Sequence, residues 1–306
     1  MKQIVIGVDH GNRLIKSREG MYSCGYTVTK NQVGMDMVVE YKGKYYCIDG
    51  RTKYKYDKTI DETYFILTLP AIAIRLDREM VSEASIILAI GLPLSHFAQL
   101  KDRYIKYFTR ANIDFIFNGK HYVANISEVM CFPQSISGYL YNYNEYKDID
   151  FLNLIDVGQM TLDVVKIYNG KPLIESAVSL SCAMNKLVKS IQDNVRKVTG
   201  IELSELQIES TLQGKKSIYF KDEIIDLIET TKTDYINEML DEMRENGFDL
   251  QATVNLFIGG GGSIVVDTLD KQKDNNRIGY YDLLPQSQKA NVLGYELLAY
   301  ETLKRR

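Results

Sequence analysis

FLNLIDVGQMTLDVVKIYNG, residues 151–170, is two apolar runs rich in β-branched residues around a short polar turn. Asp156 closes the first run, Gly158 follows two residues later, and Thr161 and Asp163 open the second, a pattern that predicts a β-hairpin. A carboxylate at a strand exit followed by glycine leaves backbone N–H groups to face an anion, while the carboxylate can hold a metal-bound water. Taken alone, it is an ordinary hairpin with a glycine turn.

A second copy gives the turn meaning. Residues 3–16, QIVIGVDHGNRLIK, repeat the design: an apolar strand, Asp9, Gly11 and Asn12 in a polar turn, and a return run ending at Lys16. Asp9 and Asp156 are 147 positions apart in a chain of 306, which predicts two similar half-domains facing each other across a cleft. Glycine turns from both sides would grip one polyphosphate.

A third turn lies in VNLFIGGGGSIV, residues 254–265, where an apolar strand runs into Gly259, Gly260, Gly261 and Gly262. Ser263 reads as the N-cap of the helix that follows. Such a turn lets backbone approach a flat or anionic ligand closely. It is neither a Walker A loop, having no Gly-Lys-Ser/Thr, nor a GxGxxG dinucleotide turn.

Between the turns the pattern is mixed α/β. Residues 22–50 alternate as a small β-meander, and RTKYKYDKTIDETY (51–64) gathers Arg51, Lys53, Lys55 and Lys58 with Tyr54 and Tyr56. That could form a basic and aromatic surface for single-stranded nucleic acid, although the acidic residues interspersed in it favour a solvated connection. A helical pattern spans 63–81, a buried strand 84–94 and an amphipathic helix 97–110. Asn118-Gly119 marks a hairpin turn, and Phe132-Pro133-Gln134-Ser135 reads as the opening of another helix. A glutamine at a helix start beside a phosphate cleft can orient an attacking water without being a strong base. Asn142 and Asn144 predict turns. A helix from about Ser181 stops at Gly200, residues 202–245 are polar and mostly helical with a β-like KKSIYF interruption, and a helix from about Ser287 closes the chain.

Composition removes several classes. With 45% hydrophobic and 25% charged residues the chain is an ordinary globular one, and its net charge of −3 gives no overall footprint for nucleic acid. Cys24, Cys47, Cys131 and Cys182 are widely spaced without a CxxC, and there are three histidines, so no zinc or disulfide framework can be read. Met1 leads directly into a strand, and no apolar run approaches the roughly 18 residues of a membrane span. These features predict a cytoplasmic chain that neither crosses nor enters a membrane.

The three turns, in this order and spacing, resemble those of the actin, chaperone and sugar-kinase ATPase superfamily. Asp9–Lys16 is similar to its first phosphate loop, Asp156–Asp163 to its second and Gly259–Ser263 to its adenosine loop. Gln134–Leu140 and Asn291–Ala299, each with a central glycine (Gly138, Gly294), look like its connecting helices. Within the superfamily, Gly91-Leu92-Pro93-Leu94, Phe132-Pro133-Gln134-Ser135 and Thr161-Leu162-Asp163 resemble the ParM-type plasmid-segregation actin-like ATPases. ParM-type proteins often carry glutamate where this chain has Gln134, while eukaryotic actins carry glutamine in the corresponding helix.

The resemblance implies an α/β, actin-like (ribonuclease H-like) two-domain fold with a nucleotide cleft between the domains. Domain I would be 1–150 plus about 286–306, with an outer subdomain at about 22–62. Domain II would be 151–285, with an outer helical subdomain at about 186–250. It further implies an ATPase or GTPase that binds ATP or GTP with Mg²⁺. Asp9, Gly11, Asn12, Lys16, Gly158, Gln159, Thr161 and Gly259–Ser263 would bind nucleotide, Asp9 and Asp156 would hold the metal mainly through water, and Gln134 and Asp156 would serve hydrolysis. The implied partners are further copies of the chain in a head-to-tail filament, and a small DNA-binding adaptor at a centromere-like plasmid site, without direct DNA binding. A small-molecule kinase of the same fold and a non-polymerising nucleotide-dependent scaffold are the alternatives.

Overall fold

The computed structural model describes residues 1–30, 37–50, 55–215, 220–272 and 276–306. The chain divides into two compact units: unit one is Met1–Tyr141 with Lys289–Arg306, and unit two is Asn142–Gln288.

Unit one runs β1 (Lys2–His10), β2 (Leu14–Ser17), β3 (Met21–Ser23), β4 (Thr27–Thr29), β5 (Val38–Tyr41), β6 (Lys44–Cys47), α1 (Thr63–Ile66), α2 (Leu69–Arg78), β7 (Glu83–Leu92), α3 (Leu94–Phe108), β8 (Arg110–Phe117), β9 (Lys120–Pro133) and α4 (Ile136–Tyr141). Unit two runs α5 (Tyr143–Tyr146), β10 (Phe151–Val157), β11 (Leu162–Tyr168), β12 (Lys171–Leu180), α6 (Met184–Thr199), α7 (Glu205–Leu212), α8 (Asp222–Glu245), β13 (Val254–Ile258), α9 (Gly262–Lys271) and β14 (Tyr281–Leu283). The last helix, α10 (Ala290–Lys304), belongs to unit one.

In unit one the strand order is β3-β2-β1-β7-β9-β8-β5-β6-β4, with β1, β7 and β9 parallel at the centre. Central parallel strands are covered on both faces, so they read as continuous apolar runs. Their side chains still alternate. Ile4, Ile6, Val8, Ile86, Leu88 and Ile90 enter the core formed with α2 and α3, while Val5, Ile87 and Ala89 meet Val292, Leu293, Tyr295 and Ala299 of α10. The Tyr295 ring lies so close over Gly91 that a Cβ there would come within 2.1 Å of it. Glu296, 1% exposed, accepts the Gly7 N–H at 3.0 Å and pairs with Arg18. A buried carboxylate is tolerated because both its oxygens are engaged.

Unit two has the strand order β12-β11-β10-β13-β14, with β10 and β13 parallel. Ile155, Val157, Leu162, Val164 and Phe257 pack with the apolar faces of α6, α7, α8 and α9. On the central strands Asn153 and Asn255 are register partners, and the Asn153 amide donates to Asn255 Oδ1 at 2.9 Å, so these polar groups are satisfied by each other and by neighbouring carbonyls. Gly200, at φ 74°, ends α6 where the sequence places its stop.

Several expectations are corrected. The helical stretch at 63–81 is two helices that part after Ile66, and the helix expected from 97 begins at Leu94, directly after Pro93. Strand β9 continues through Pro133, so Gln134 sits at a strand-to-helix corner rather than in a first helical turn. Residues 143–146 are helical where turns were expected. Helix α9 starts at Gly262 with Gly261 at the cap position, which puts Ser263 inside the first turn with no capping bond; the tight turn at Gly261 brings the helix start forward.

The basic and aromatic reading of 51–64 is corrected where residues are described. Lys55 bonds Asp61 and Thr63, Tyr56 bonds Gln99 and packs on His96, and Lys58 turns inward to the His10 carbonyl. Arg51, Lys53 and Tyr54 lie outside the described residues, as do 31–36 of the meander and 216–219 of the KKSIYF stretch.

Candidate functional site

In unit one, β1 and β2 form the expected hairpin, with Asp9 opposite Lys16 and His10 opposite Ile15. Asp9 is 3% exposed; its Oδ2 receives Lys16 Nζ at 3.2 Å and its Oδ1 receives the Gln134 amide at 3.0 Å. The corner that aims Gln134 is pinned by backbone. The Gln134 N–H donates to Leu92 O at 2.8 Å, and the Ser135 N–H donates to Asn291 Oδ1 at 2.8 Å. Ser135 has φ 62°, a conformation costly for a residue with a Cβ. This strain sits beside the glutamine and is held by α10.

At the turn itself, a Cβ on Gly11 would lie 2.6 Å from the Leu14 carbonyl oxygen. Asn12 follows with its amide oxygen buried and without a partner among the described residues. Behind the turn, His10 donates from Nε2 to Thr68 Oγ1 at 2.8 Å, since the Thr68 hydroxyl is itself given to Tyr64 O, and the ring stacks on Phe108 at 4.8 Å. Burial, aided by the Lys58 charge, pushes the His10 imidazole down to about 3, so it is neutral.

In unit two the turn has the same build. A Cβ on Gly158 would lie 2.8 Å from the Thr161 carbonyl oxygen, so each hairpin folds a carbonyl over its glycine and excludes a side chain there. The Gly158 N–H donates to Thr161 O at 2.9 Å and is thereby used within the turn. The N–H groups of Gln159, Met160 and Thr161 have no partner among the described residues. The Thr161 hydroxyl is given to Asp163 Oδ2 at 3.0 Å.

The two hairpins differ in charge. Opposite Asp9 stands Lys16; opposite Asp156 stands Asp163. Directly opposed residues on antiparallel strands share a face, about 5 Å apart at Cβ, so unit two sets two carboxylates side by side. Burial pushes the Asp163 carboxyl up.

Two further segments reach the second turn. The N–H groups of Met184 and Asn185, at the start of α6, donate to Gly158 O at 3.3 Å and Gln159 O at 3.0 Å. The glycine run closes against the same strand: the Gly261 N–H donates to Val157 O at 2.9 Å, and Gly259 has φ 90° with Asp156 Oδ1 only 2.4 Å from where a Cβ would be. Only glycine fits there. At Gly260, by contrast, a Cβ would meet nothing within 4 Å.

Asp9, Gly11, Asn12, Lys16 and Gln134 are thus gathered in unit one, and Asp156, Gly158, Gln159, Thr161 and Gly259–Ser263 in unit two. Sequence reasoning missed Asn185, whose amide oxygen is buried without a partner among the described residues, and the inward Lys58. Neither carries a local signal, because both arrive by tertiary packing. The four cysteines are buried and unpaired. Among the described residues no group of three or more His, Cys, Asp or Glu could hold a metal, and no helix is long and apolar enough to cross a membrane.

Two family models match the chain. Residues 9–136 match the N-terminal domain of actin like proteins, and residues 154–271 match the C-terminal part of the archaeal actin homologue MreB-like family. No curated protein matches at a significant level. Among solved structures, an archaeal actin homolog in complex with ADP superposes with a TM-score of 0.73 at 18% identity, over 97% of this chain and 99% of that one. A 15-stranded ParM filament from Clostridium botulinum gives 0.72 at 19% identity over 98% and 100%. Bacillus thuringiensis ParM with ATP gives 0.69 at 14% identity over 99% and 100%. At these identities the superpositions establish an actin-like fold, and the two models, one matching most of each unit, both describe actin-like proteins.

Proposed function

We propose that the chain is a nucleoside triphosphatase that polymerises head to tail in response to ATP or GTP and segregates plasmid DNA through a small DNA-binding adaptor. The observation that carries this reading is the hairpin built twice. In both units an aspartate leaves a strand, a glycine follows two residues later, and a carbonyl closes over that glycine. Similarity to nucleotide-bound and filamentous actin-like structures supports it.

In this reading the Gly11-Asn12 turn and the N–H groups of 159–161 receive phosphate oxygens, Lys16 adds charge, and the Gly259–Ser263 turn with the start of α6 flanks the nucleoside. Both oxygens of Asp9 are engaged by Lys16 and Gln134, which fits a Mg²⁺ held through water and phosphate rather than in an all-protein cage. The carboxylates of Asp156 and Asp163, register partners on β10 and β11, give the second turn a cation-attracting character. Mg²⁺ would neutralise charge on the phosphates. Gln134, with its amide nitrogen bound to Asp9, retains its oxygen to accept a hydrogen bond from the attacking water.

Electron microscopy and sedimentation with each triphosphate and Mg²⁺, alongside phosphate release, test the proposal. Filaments that form with triphosphate and disassemble as phosphate is released are expected. Steady hydrolysis without sedimentable polymer overturns the filament part, and phosphorylation of an added hydroxyl compound would make the protein a kinase. Adaptor-dependent capture of a plasmid centromere fragment by the filaments tests the segregation role.

A further inference from the structure

Lys58 is a partly buried cation with no carboxylate counterpart of its own among the described residues. Its Nζ donates to the carbonyl of His10, the residue between Asp9 and Gly11, and lies over the Tyr64 ring at 5.2 Å from the centroid. Among the described residues it forms no ion pair. The neighbouring Asp57 is bound to Arg103 at 2.7 Å, and Asp9, the carboxylate that acts on it electrostatically, is shared between Lys16 and Gln134. Cys24 and His10 beside it are neutral, the thiol held up and the imidazole held down by burial. Asp9, Lys16 and Lys58 therefore leave one positive charge in excess at the entrance to the first turn.

A partly desolvated ammonium held by one neutral carbonyl is poorly compensated, and burial pushes its own proton affinity down. One hydrogen bond to His10 leaves further ammonium donors unused. An anion at the turn would supply both the missing charge and the missing acceptors.

We propose that Lys58 is a second cationic contact to the terminal phosphate of a nucleoside triphosphate at the Asp9–Lys16 turn. This rests on the nucleotide reading above and extends it. A diphosphate lacks the group that Lys58 contacts, so Lys58 discriminates triphosphate from diphosphate. Because Lys58 lies within residues 55–62, directly ahead of α1, the contact ties those residues to the presence of the terminal phosphate.

The test compares ADP with a non-hydrolysable ATP analogue, or the guanine pair if guanine nucleotides bind better, on the full chain and on Lys58→Met and Lys58→Arg. Loss of a charge-assisted hydrogen bond predicts at least about tenfold weaker binding of the analogue to Lys58→Met, with the diphosphate changed by less than about threefold. Lys58→Arg should recover most of the loss. Equal losses for both nucleotides, or no loss for either, overturn the proposal. Should Lys58→Met not fold, acetylation of Lys58 in the wild-type chain, read by mass spectrometry, decides the matter. The analogue should slow it several-fold relative to the diphosphate, and equal rates overturn the assignment. Wild-type protein that binds neither nucleotide would instead overturn the nucleotide reading itself.

Discussion

The Gln134 amide nitrogen donates to Asp9 Oδ1 at 3.0 Å, joining the strand-to-helix corner at the end of β9 to the first glycine turn within one unit. The bond determines how the glutamine faces: with Nε2 engaged, Oε1 is the atom left to meet a water. Gln134→Ala removes both the orienting oxygen and one donor to a buried carboxylate. Phosphate release should fall about 100-fold, the scale set by a misplaced reactant, while triphosphate affinity changes by less than about threefold. Unchanged release in a correctly folded variant would remove Gln134 from the reaction.

Gln134→Glu is the informative companion. It would bring a second carboxylate to the oxygen that Asp9 presents, and two carboxylates at hydrogen-bond distance hold one proton between them, with one pKa raised. Activity of this variant should therefore fall as pH rises through the upper titration of the pair, and the wild type should lack that step. A pH profile of single-turnover hydrolysis checks it.

Much of this arrangement was readable from local pattern, and the unreadable parts share a cause. Asp9 facing Lys16 and Asp156 facing Asp163 follow from strand alternation and short glycine turns, which are encoded within a few residues. The Gln134–Asp9 bond joins residues 125 apart, and it depended on β9 running on to Pro133, where proline suggested a helix start. Ser263 has the chemistry of a cap, but the helix begins two residues earlier than a Ser263 cap would start it, because Gly261 closes onto Val157. Asn185 and Lys58 reach their turns only through packing of α6 and of the segment before α1. No periodicity in the sequence points at them.

Gly260 separates ligand approach from folding. Its backbone is not in the left-handed region and a Cβ would meet nothing within 4 Å, so Gly260→Ala should leave the unfolding midpoint essentially unchanged. If the glycine run lies against a nucleoside, the added methyl should weaken nucleotide binding about tenfold, as small overpacking does. Gly259→Ala, with φ 90° and Asp156 in the way, should destabilise unit two outright. Calorimetric binding and thermal melting of the two variants distinguish these effects, and full affinity in Gly260→Ala would place the nucleoside elsewhere.

Gly294 should be indispensable for a mechanical reason. A Cβ there would stand 2.0 Å from Ser137 O and 3.0 Å from the Gly138 nitrogen, so α10 crosses α4 backbone to backbone. Gly294→Ala gains helix propensity of about 1 kcal/mol, but the contact requires the helices to separate, an overpacking penalty of about 3 kcal/mol or more. The penalty wins, and the denaturant midpoint should fall. Because Asn291 of α10 also holds the Ser135 N–H, the same variant should lose hydrolysis at temperatures where it remains folded.

Burial of His10 makes the stability of the fold depend on pH. Its imidazole is held down to about 3 in the folded chain, against an ordinary value of 6.5. Between those values the unfolded chain carries a proton that the folded chain refuses, so stability falls as pH drops below 6.5, by about 1.4 kcal/mol per pH unit. Between pH 6.5 and about 5 the carboxylates of the unfolded chain, which titrate near 4, contribute little, and His96, also held down by burial, adds a slope of the same sign that the His10 variant retains. His10→Asn keeps an amide donor for Thr68 and cannot take up the proton. Urea denaturation across that window should therefore show a shallower pH slope for the variant, even if the variant is less stable at pH 7. Parallel slopes would mean that protonated His10 finds a partner in the folded protein.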